Sequence, residues 1–381
     1  MRKQKRSMQK MIIAVMVIGS FLFGSCSKTE FTEAGKNDSP ITSGADGENR
    51  DHSANGLPQE TDSRLEVHFM DVGQGDATLI SCDGYYMLID AGNNDKGTAV
   101  WSYLKQQGVE RLDYVIGTHP DADHIGGLDV VLYKFDCGTV IMPEVENDTR
   151  TYEDVVQAME EKEYPVTCPV VGETYSLGEA SFTVIAPNKD YGLDMNASSV
   201  GILVEHGENR FLLTGDAEEE AEEDILENGI DISADVYKAG HHGSKTASTE
   251  EFLNAVNPEY AVISCGEGNS YGHPHAEVLN RFRSMGIDVF RTDEQGTVVA
   301  VSDGREITWN CTPSESWQAG EPTGSSAGQN TEEKMVYITK TGEKYHREDC
   351  SYLKNGVEKI SLSEAKERGY EPCKKCEPPV E

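Results

Sequence analysis

The sequence THPDADHIGG at residues 118–127 contains two histidines and two aspartates within six positions. One residue, Gly117, separates it from the apolar pair Val115-Ile116, which is typical of a β-strand. Imidazole nitrogens and carboxylate oxygens bind Zn²⁺, Mn²⁺ and iron, and a loop that presents alternate side chains can serve two ions close together. A helix interior would not aim all four groups inward. This stretch therefore predicts a metal site at a strand end.

Candidate ligands also follow three later apolar segments. These segments are LLTGD at 212–216, KAGHHGSK at 238–245 and YGHPH at 271–275. Each places a histidine or an aspartate just past apolar residues, so the chemistry of this chain concentrates at strand ends.

Short strands alternate with helices throughout the region that contains these groups. Strands are predicted at 65–70, 77–82, 86–90, 114–118, 182–185, 200–205, 210–213, 236–238, 260–264 and 288–291, and helices at 98–107, 152–162 and 217–228. Many strands with interspersed helices predict an α/β or α+β sandwich. Composition and periodicity alone go no further.

The length and charge of the chain limit its organisation. The 381 residues allow two or three domains, and 33 Lys+Arg against 67 Asp+Glu give a net charge of −34, which excludes a generally basic nucleic-acid coat. Polar segments at 27–63 and 313–333 predict a flexible tether and a linker. The expected units are therefore a large domain at 64–312 and a small one at 334–381.

The first 26 residues have the pattern of a secretory signal. Basic residues precede the apolar run 11–23, which ends in Gly24-Ser25-Cys26. Thirteen apolar residues are too few for a stable transmembrane helix, which requires about 20. The small residues before Cys26 resemble a bacterial lipobox, so we expect lipidation of Cys26 and an extracytoplasmic, membrane-anchored lipoprotein. Plain secretion and an uncleaved anchor are the alternatives.

A family resemblance covers nearly all of the large domain. It is carried by DVGQGD at 71–76, LIDAG at 88–92, HPDADHIGG at 119–127, LLTGD at 212–216 and AGHHGSKTAS at 239–248, in that order. The domain resembles metallo-β-lactamase-fold hydrolases, and it is most similar to the extracytoplasmic hydrolase domain of the competence DNA-uptake protein ComEC. The resemblance implies an αββα sandwich with a metal site at one edge of two sheets.

The resemblance also implies a ligand set for two divalent metals. It assigns His119 and Asp121 to one metal, Asp123 and His124 to the other, and Asp216 to a bridge between them. Asp121 stands where many family members have a second histidine, and this exchange of nitrogen for oxygen makes Mn²⁺ a rival to Zn²⁺.

Other assignments within this set stay open. Asp90 is expected to orient the ligand loop through hydrogen bonds, without binding a metal itself. The segment MNASSV at 195–200 lacks the histidine that the family usually supplies, so a water or Asn196 is expected to complete the first site. The last ligand comes from His241, His242 or His273. We favour His273 and place His241 and His242 beside the metals or the substrate, with Lys245 as a phosphate contact.

The implied activity is hydrolysis by a hydroxide that two metals share. Asp123, His241 and His242 are the expected catalytic residues. The ComEC resemblance favours a nuclease or phosphodiesterase that acts on DNA at the cell surface. The alternatives are a metallohydrolase of a cell-wall phosphodiester such as phosphorylcholine teichoic acid, or of a lactone or other acyl ester, and a binding lipoprotein without turnover.

The C-terminal segment has the spacing of a second metal site. His346 and Cys350 are followed by Cys373 and Cys376, a set that predicts one closed tetrahedral zinc site. The segment resembles small Ada-like metal-binding domains. A disulfide between Cys373 and Cys376 is the alternative. Ten Lys+Arg against seven Asp+Glu over residues 334–376 indicate either a polyanion contact or a module for stability or docking.

Overall fold

A computed structural model describes residues 63–145, 147–321, 335–339, 342, 344–347, 350–353, 357–376 and 378. The predicted signal peptide, the lipidation site Cys26 and nearly all of the predicted tether lie outside these residues. No helix in the described part of the chain has the length and hydropathy required to cross a membrane.

Fifteen strands between residues 65 and 309 form two sheets. In chain order they are β1 Leu65–Phe69, β2 Thr78–Cys82, β3 Tyr85–Ile89, β4 Arg111–Ile116, β5 Asp136–Ile141, β6 Val166–Thr167, β7 Thr174–Leu177, β8 Ala180–Ala186, β9 Gly201–His206, β10 Asn209–Leu213, β11 Val236–Lys238, β12 Tyr260–Ile263, β13 Asp288–Arg291, β14 Val298–Ser302 and β15 Ile307–Trp309. The first sheet has the order β15-β14-β1-β2-β3-β4-β5-β6 and the second β13-β12-β11-β10-β9-β8-β7.

Helices cover the outer faces of both sheets. They are α1 Gly97–Gln106, α2 Ala122–Ile125, α3 Leu128–Lys134, α4 Arg150–Lys162, α5 Glu219–Glu227, α6 Glu250–Val256, α7 Ala276–Met285 and α8 Thr292–Gln295, with a 3₁₀ turn at Gly240–Gly243. Period-two burial explains the layers. In β3, Met87 and Ile89 lie in the core between the sheets, whereas Leu88 packs with the helices outside. The αββα sandwich that the resemblance implies is therefore confirmed.

Several elements differ from the sequence prediction at their ends. Helix α4 begins at Arg150, two residues earlier than predicted, because the Thr149 hydroxyl accepts a hydrogen bond from the backbone N–H of Tyr152. Strand β14 was not predicted, although it pairs antiparallel with β1 from Leu65 opposite Ser302 to Phe69 opposite Val298. Its pairing partner lies more than 220 residues away, so local sequence carries no signal of the pairing, although the run VVAVS is itself typical of a strand.

The segment after β15 continues along the sandwich. Trp317 and Ala319 pack against the helices that cover the second sheet, and Gly320 N–H donates to the carbonyl of Pro274 at 2.9 Å. Arg291 Nη1 donates to the carbonyl of Gln318 at 2.7 Å. The first part of the predicted linker 313–333 thus lies against the large domain.

The C-terminal module is small and built from short strands. Its elements are β16 Met335–Thr339, β17 Lys344–Tyr345, β18 Val357–Ser361, α9 Leu362–Glu367 and β19 Glu371–Pro372. Strand β16 pairs antiparallel with β18, and β17 pairs parallel with β19. Its described core contains only Val336, Ile338, Tyr345, Ile360, Leu362 and Ala365.

Candidate metal centre

Four side-chain atoms converge where the loop after β4 meets the loops after β10 and β11. The Oδ2 atom of Asp216 lies 3.2 Å from Nε2 of both His124 and His242. Nε2 of His242 lies 3.3 Å from Nε2 of His124 and 3.3 Å from Oδ2 of Asp123. A tetrahedral ion with bonds of about 2.0–2.1 Å spaces its ligand atoms about 3.3 Å apart. The atoms of His124, His242 and Asp216 therefore have the spacing of ligands of one divalent ion, with Asp123 as a fourth donor beside His242. We call these four residues the four-atom group.

Hydrogen bonds behind the two histidines fix their orientation. Nδ1 of His124 lies 2.8 Å from Oδ2 of Asp90, and Nδ1 of His242 lies 3.0 Å from the carbonyl of Ser264. Because both acceptors require an Nδ1–H donor, the Nε2 lone pairs point towards the carboxylates. Asp90 also accepts from the backbone N–H and the hydroxyl of Thr118, at 2.8 and 2.7 Å. Asp90 thus orients His124 and the start of the loop together.

A second, wider group lies beside the first. Nε2 of His119 is 3.7 Å from Oδ2 of Asp121, and Nε2 of His241 is 3.8 Å from Oδ2 of Asp216. The other carboxylate oxygen of Asp216 is buried and has no hydrogen-bond partner among the described residues. Nδ1 of His241 lies 2.7 Å from Oε1 of Glu218. Asp216 is therefore placed to serve both groups.

Asp76 belongs to the site although the sequence analysis did not select it. It can contribute a ligand atom within 4.8 Å of those of His124, Asp216 and His242. Its Oδ2 atom forms an ion pair with Nζ of Lys238 at 2.5 Å, and both side chains are buried. Burial alone would raise the pKa of Asp76, but the charge of Lys238 holds it below the usual range. The signal was the aspartate that ends the motif DVGQGD.

The field at this centre is strongly negative. Burial alone would lower the pKa of His124 and His242, but the charge of Asp216 raises both well above the usual range of an imidazole. Asp90 raises the pKa of His124 further, and Asp76 raises that of His242. The protein therefore stabilises positive charge at this position, which is the property that a cation site requires.

Ser199 lies in the segment 195–200, which contains no histidine. Its hydroxyl accepts from the backbone N–H of Asp216 at 3.1 Å and lies 3.3 Å from Nδ1 of His119. Asn196, which we named as a substitute ligand, instead hydrogen-bonds Glu218. Ser199 thus contacts a residue of each group.

His273, which we favoured as the last metal ligand, lies outside the four-atom group. Its ring centroid is 5.5 Å from that of His241 and 6.1 Å from that of His242, and Nδ1 is buried without a partner among the described residues. The structure brings His242, rather than His273, into the four-atom group. Lys245 is exposed, and its backbone N–H donates to Nδ1 of His275 at 2.9 Å.

Replacing Asp90 with asparagine is expected to weaken binding of a divalent ion about 10- to 100-fold, because His124 would lose the carboxylate that orients it. Competition with a chromophoric chelator measures this affinity. The matched control is Asp136→Asn, an exposed aspartate at the start of β5. Equal affinities for Asp90→Asn and the control would contradict the orienting role.

The C-terminal module holds a second cluster of ligands. Atoms of His346, Cys350, Cys373 and Cys376 all lie within 4.8 Å of one another. Nδ1 of His346 is 3.2 Å from Sγ of Cys350 and 3.9 Å from Sγ of Cys376. The three cysteines are free thiols in the structure, so the alternative disulfide is not formed. This His/Cys set fits a closed zinc site.

Comparisons with known proteins agree with this geometry. The model of the metallo-beta-lactamase superfamily matches residues 70–267. The chain is 31% identical over 254 residues to ComE operon protein 3 of Bacillus subtilis (strain 168), a match that covers 62% of this chain and 33% of that protein. It is 32% identical over 239 residues to competence protein ComA of Neisseria gonorrhoeae, with 62% and 32% covered. It is 32% identical over 238 residues to recombination protein 2 of Haemophilus influenzae, with 61% and 28% covered. The chain thus spans about a third of the length of these relatives.

Proposed function

Because the chain belongs to the metallo-beta-lactamase superfamily, we propose that it is a surface-anchored, metal-dependent nuclease that hydrolyses the phosphodiester bonds of DNA. The observation that carries this proposal is the four-atom group, whose spacings of 3.2 and 3.3 Å fit a divalent ion. The second group beside it supports a dinuclear centre of Zn²⁺ or Mn²⁺. The names of the relatives, which refer to competence and recombination, support DNA as the substrate.

Each part of the site then has a role in hydrolysis. Divalent ions bound here neutralise charge on a phosphoryl oxygen and lower the pKa of water. Asp123, His124, His242 and Asp216 would hold one ion, and His119, Asp121 and Asp216 the other. Asp90 and Ser264 keep both imidazole Nε2 atoms of the four-atom group directed inward.

Within the wider group, we assign His241 to proton transfer rather than to metal binding. Oε1 of Glu218 lies 2.7 Å from its Nδ1 atom and fixes the orientation of the ring. Its Nε2 atom lies 3.8 Å from Asp216, at the border of the centre. We assign to Nε2–H of His241 the protonation of the leaving oxygen.

Surface anchoring is a separate part of the proposal. It rests on the apolar run 11–23 and on Cys26, both of which lie outside the described residues. A lipid on Cys26 would place the hydrolase on the outer side of a membrane.

The decisive experiment uses the chain without its signal, stripped of metal and reloaded with Zn²⁺ or Mn²⁺. Substrates are single-stranded DNA, double-stranded DNA and bis-p-nitrophenyl phosphate, and Asp123→Ala is the control. We expect metal-dependent DNA cleavage that the substitution reduces to background.

The other outcomes decide between the alternatives. Cleavage of the small diester alone would contradict a nuclease and favour another phosphodiester, such as a phosphorylcholine teichoic acid. Binding of two ions without cleavage of any of the three substrates would overturn the phosphodiesterase assignment, leaving an acyl ester or a binding role.

A further inference from the structure

The C-terminal module contacts the large domain beside the metal centre. Nη1 of Arg368 donates to the carbonyl of Leu193 at 3.4 Å and lies 3.3 Å from Oε1 of Glu358. The Arg368 side chain is only 10% exposed. Leu193 belongs to the same loop as Ser199, whose hydroxyl accepts from the backbone of Asp216. The module therefore packs against the loop that supports the metal ligands.

Strand β19 connects this contact to the zinc cluster. It begins at Glu371, three residues after Arg368, and it is followed directly by the cluster ligand Cys373.

A concave basic surface lies at the far end of β19. It is lined by Lys344, Lys374, Lys375 and Tyr352, together with the zinc-cluster residues His346 and Cys373. Nζ of Lys375 lies 4.4 Å from the ring centroid of Tyr352 and donates to the hydroxyl of Ser351 at 2.7 Å. Tyr352 is 58% exposed. We call this surface the lysine-tyrosine pocket.

The chemistry of the pocket matches a single-stranded nucleic acid. Exposed lysines neutralise backbone phosphates, and an exposed aromatic ring accepts a stacked base without regard to sequence. A polymer that carries phosphates alone would make no use of the ring. Lys344 is already paired with Glu371 at 2.8 Å, so Lys374 and Lys375 carry most of the free charge.

The pocket lies close in the chain to the contact with the large domain. Lys374 follows Arg368 by six positions, and such a segment spans at most about 22 Å. Arg368 in turn contacts the loop that carries Ser199. A strand held in the pocket would therefore lie near the loop that supports the metal ligands.

We propose that the C-terminal zinc module binds single-stranded DNA beside the scissile phosphodiester, with Lys374 and Lys375 on the phosphates and Tyr352 stacked on a base. This inference rests on the proposed function and adds to it a substrate-positioning site. The zinc cluster holds the pocket in shape, because His346 and Cys373 are both cluster ligands and pocket walls.

The test measures binding of a fluorescently labelled 20-nucleotide single strand by anisotropy, using the chain with Asp123→Ala to prevent cleavage. The charge-reversal pair Lys374→Glu/Lys375→Glu is expected to weaken binding at least about tenfold and to reduce its salt dependence. The control pair Lys359→Glu/Lys366→Glu makes the same charge change at two exposed lysines of the same module. It is expected to change affinity less than about threefold. Zinc content and circular dichroism verify that each variant is folded.

Tyr352→Ala provides an independent variant that leaves the charge unchanged. Loss of base stacking is expected to weaken binding about fivefold or more. Equal effects of the two lysine pairs, an unchanged affinity of Tyr352→Ala, or equally strong competition by base-free polyphosphate would overturn the inference. Failure of the proposed function is distinguishable, because it would show as absence of metal-dependent diester cleavage by the unaltered chain.

Discussion

Replacing His242 with alanine is expected to remove one bound ion and to lower the rate of the proposed phosphodiester cleavage about a thousandfold or more. The substitution deletes the Nε2 atom that lies 3.2 Å from Asp216 and 3.3 Å from both Asp123 and His124. An ion that stabilises charge in the transition state contributes several kcal/mol, and each 1.36 kcal/mol is about tenfold in rate. Metal content after equilibrium dialysis and initial rates measure the two effects.

His273→Ala is the matched control for this prediction. His273 is also a buried histidine, but its ring centroid lies 6.1 Å from that of His242 and outside the four-atom group. We expect this variant to keep its full metal content. Loss of an ion from His273→Ala, with retention in His242→Ala, would contradict the geometric assignment and restore the ligand that the sequence favours.

Replacing Cys373 with serine is expected to release zinc from the C-terminal module and to unfold it. The module has a described core of only six buried residues, too few to stabilise it alone. Zinc binding contributes about 10–16 kcal/mol in comparable zinc-finger peptides, so its loss outweighs the remaining packing. Hydrogen exchange should show loss of protection in β16 and β18, whereas the strands of the sandwich keep theirs.

Cys168→Ser makes the same chemical change at an exposed cysteine of the large domain. It is expected to leave both the zinc content and the protection of β16 and β18 unchanged. Persistent protection of these strands in zinc-free Cys373→Ser would show that the module folds without metal.

Much of the metal loop was predictable because its signal is local. The loop HPDADH follows an apolar strand, so its position at a strand end is visible in the sequence. The ligand types alone then indicate the chemistry. The tetrahedral His/Cys spacing of the C-terminal module is local in the same sense.

The remaining features depend on residues that are distant in sequence. Asp76 belongs to the site because Lys238, about 160 residues later, is buried against it. His242 and His273 both follow apolar strands, so their order along the chain does not decide which ring turns inward. The backbone conformation decides which ring enters the site. Oδ1 of Asn269 accepts a hydrogen bond from the backbone N–H of His273 and fixes the loop that carries this histidine. The contact between Arg368 and Leu193 likewise joins two segments with no shared pattern.

The backbone conformation at the paired histidines lowers the stability of the folded chain. His241 and His242 have positive φ angles of 46° and 53°, a left-handed conformation that disfavours residues with a Cβ atom. At about 1–2 kcal/mol per residue, the pair destabilises the folded chain by roughly 2–4 kcal/mol. Glycine at either position would relieve this strain but would also remove a buried, hydrogen-bonded ring of the metal centre, so a thermostabilised variant should be sought with both histidines held fixed.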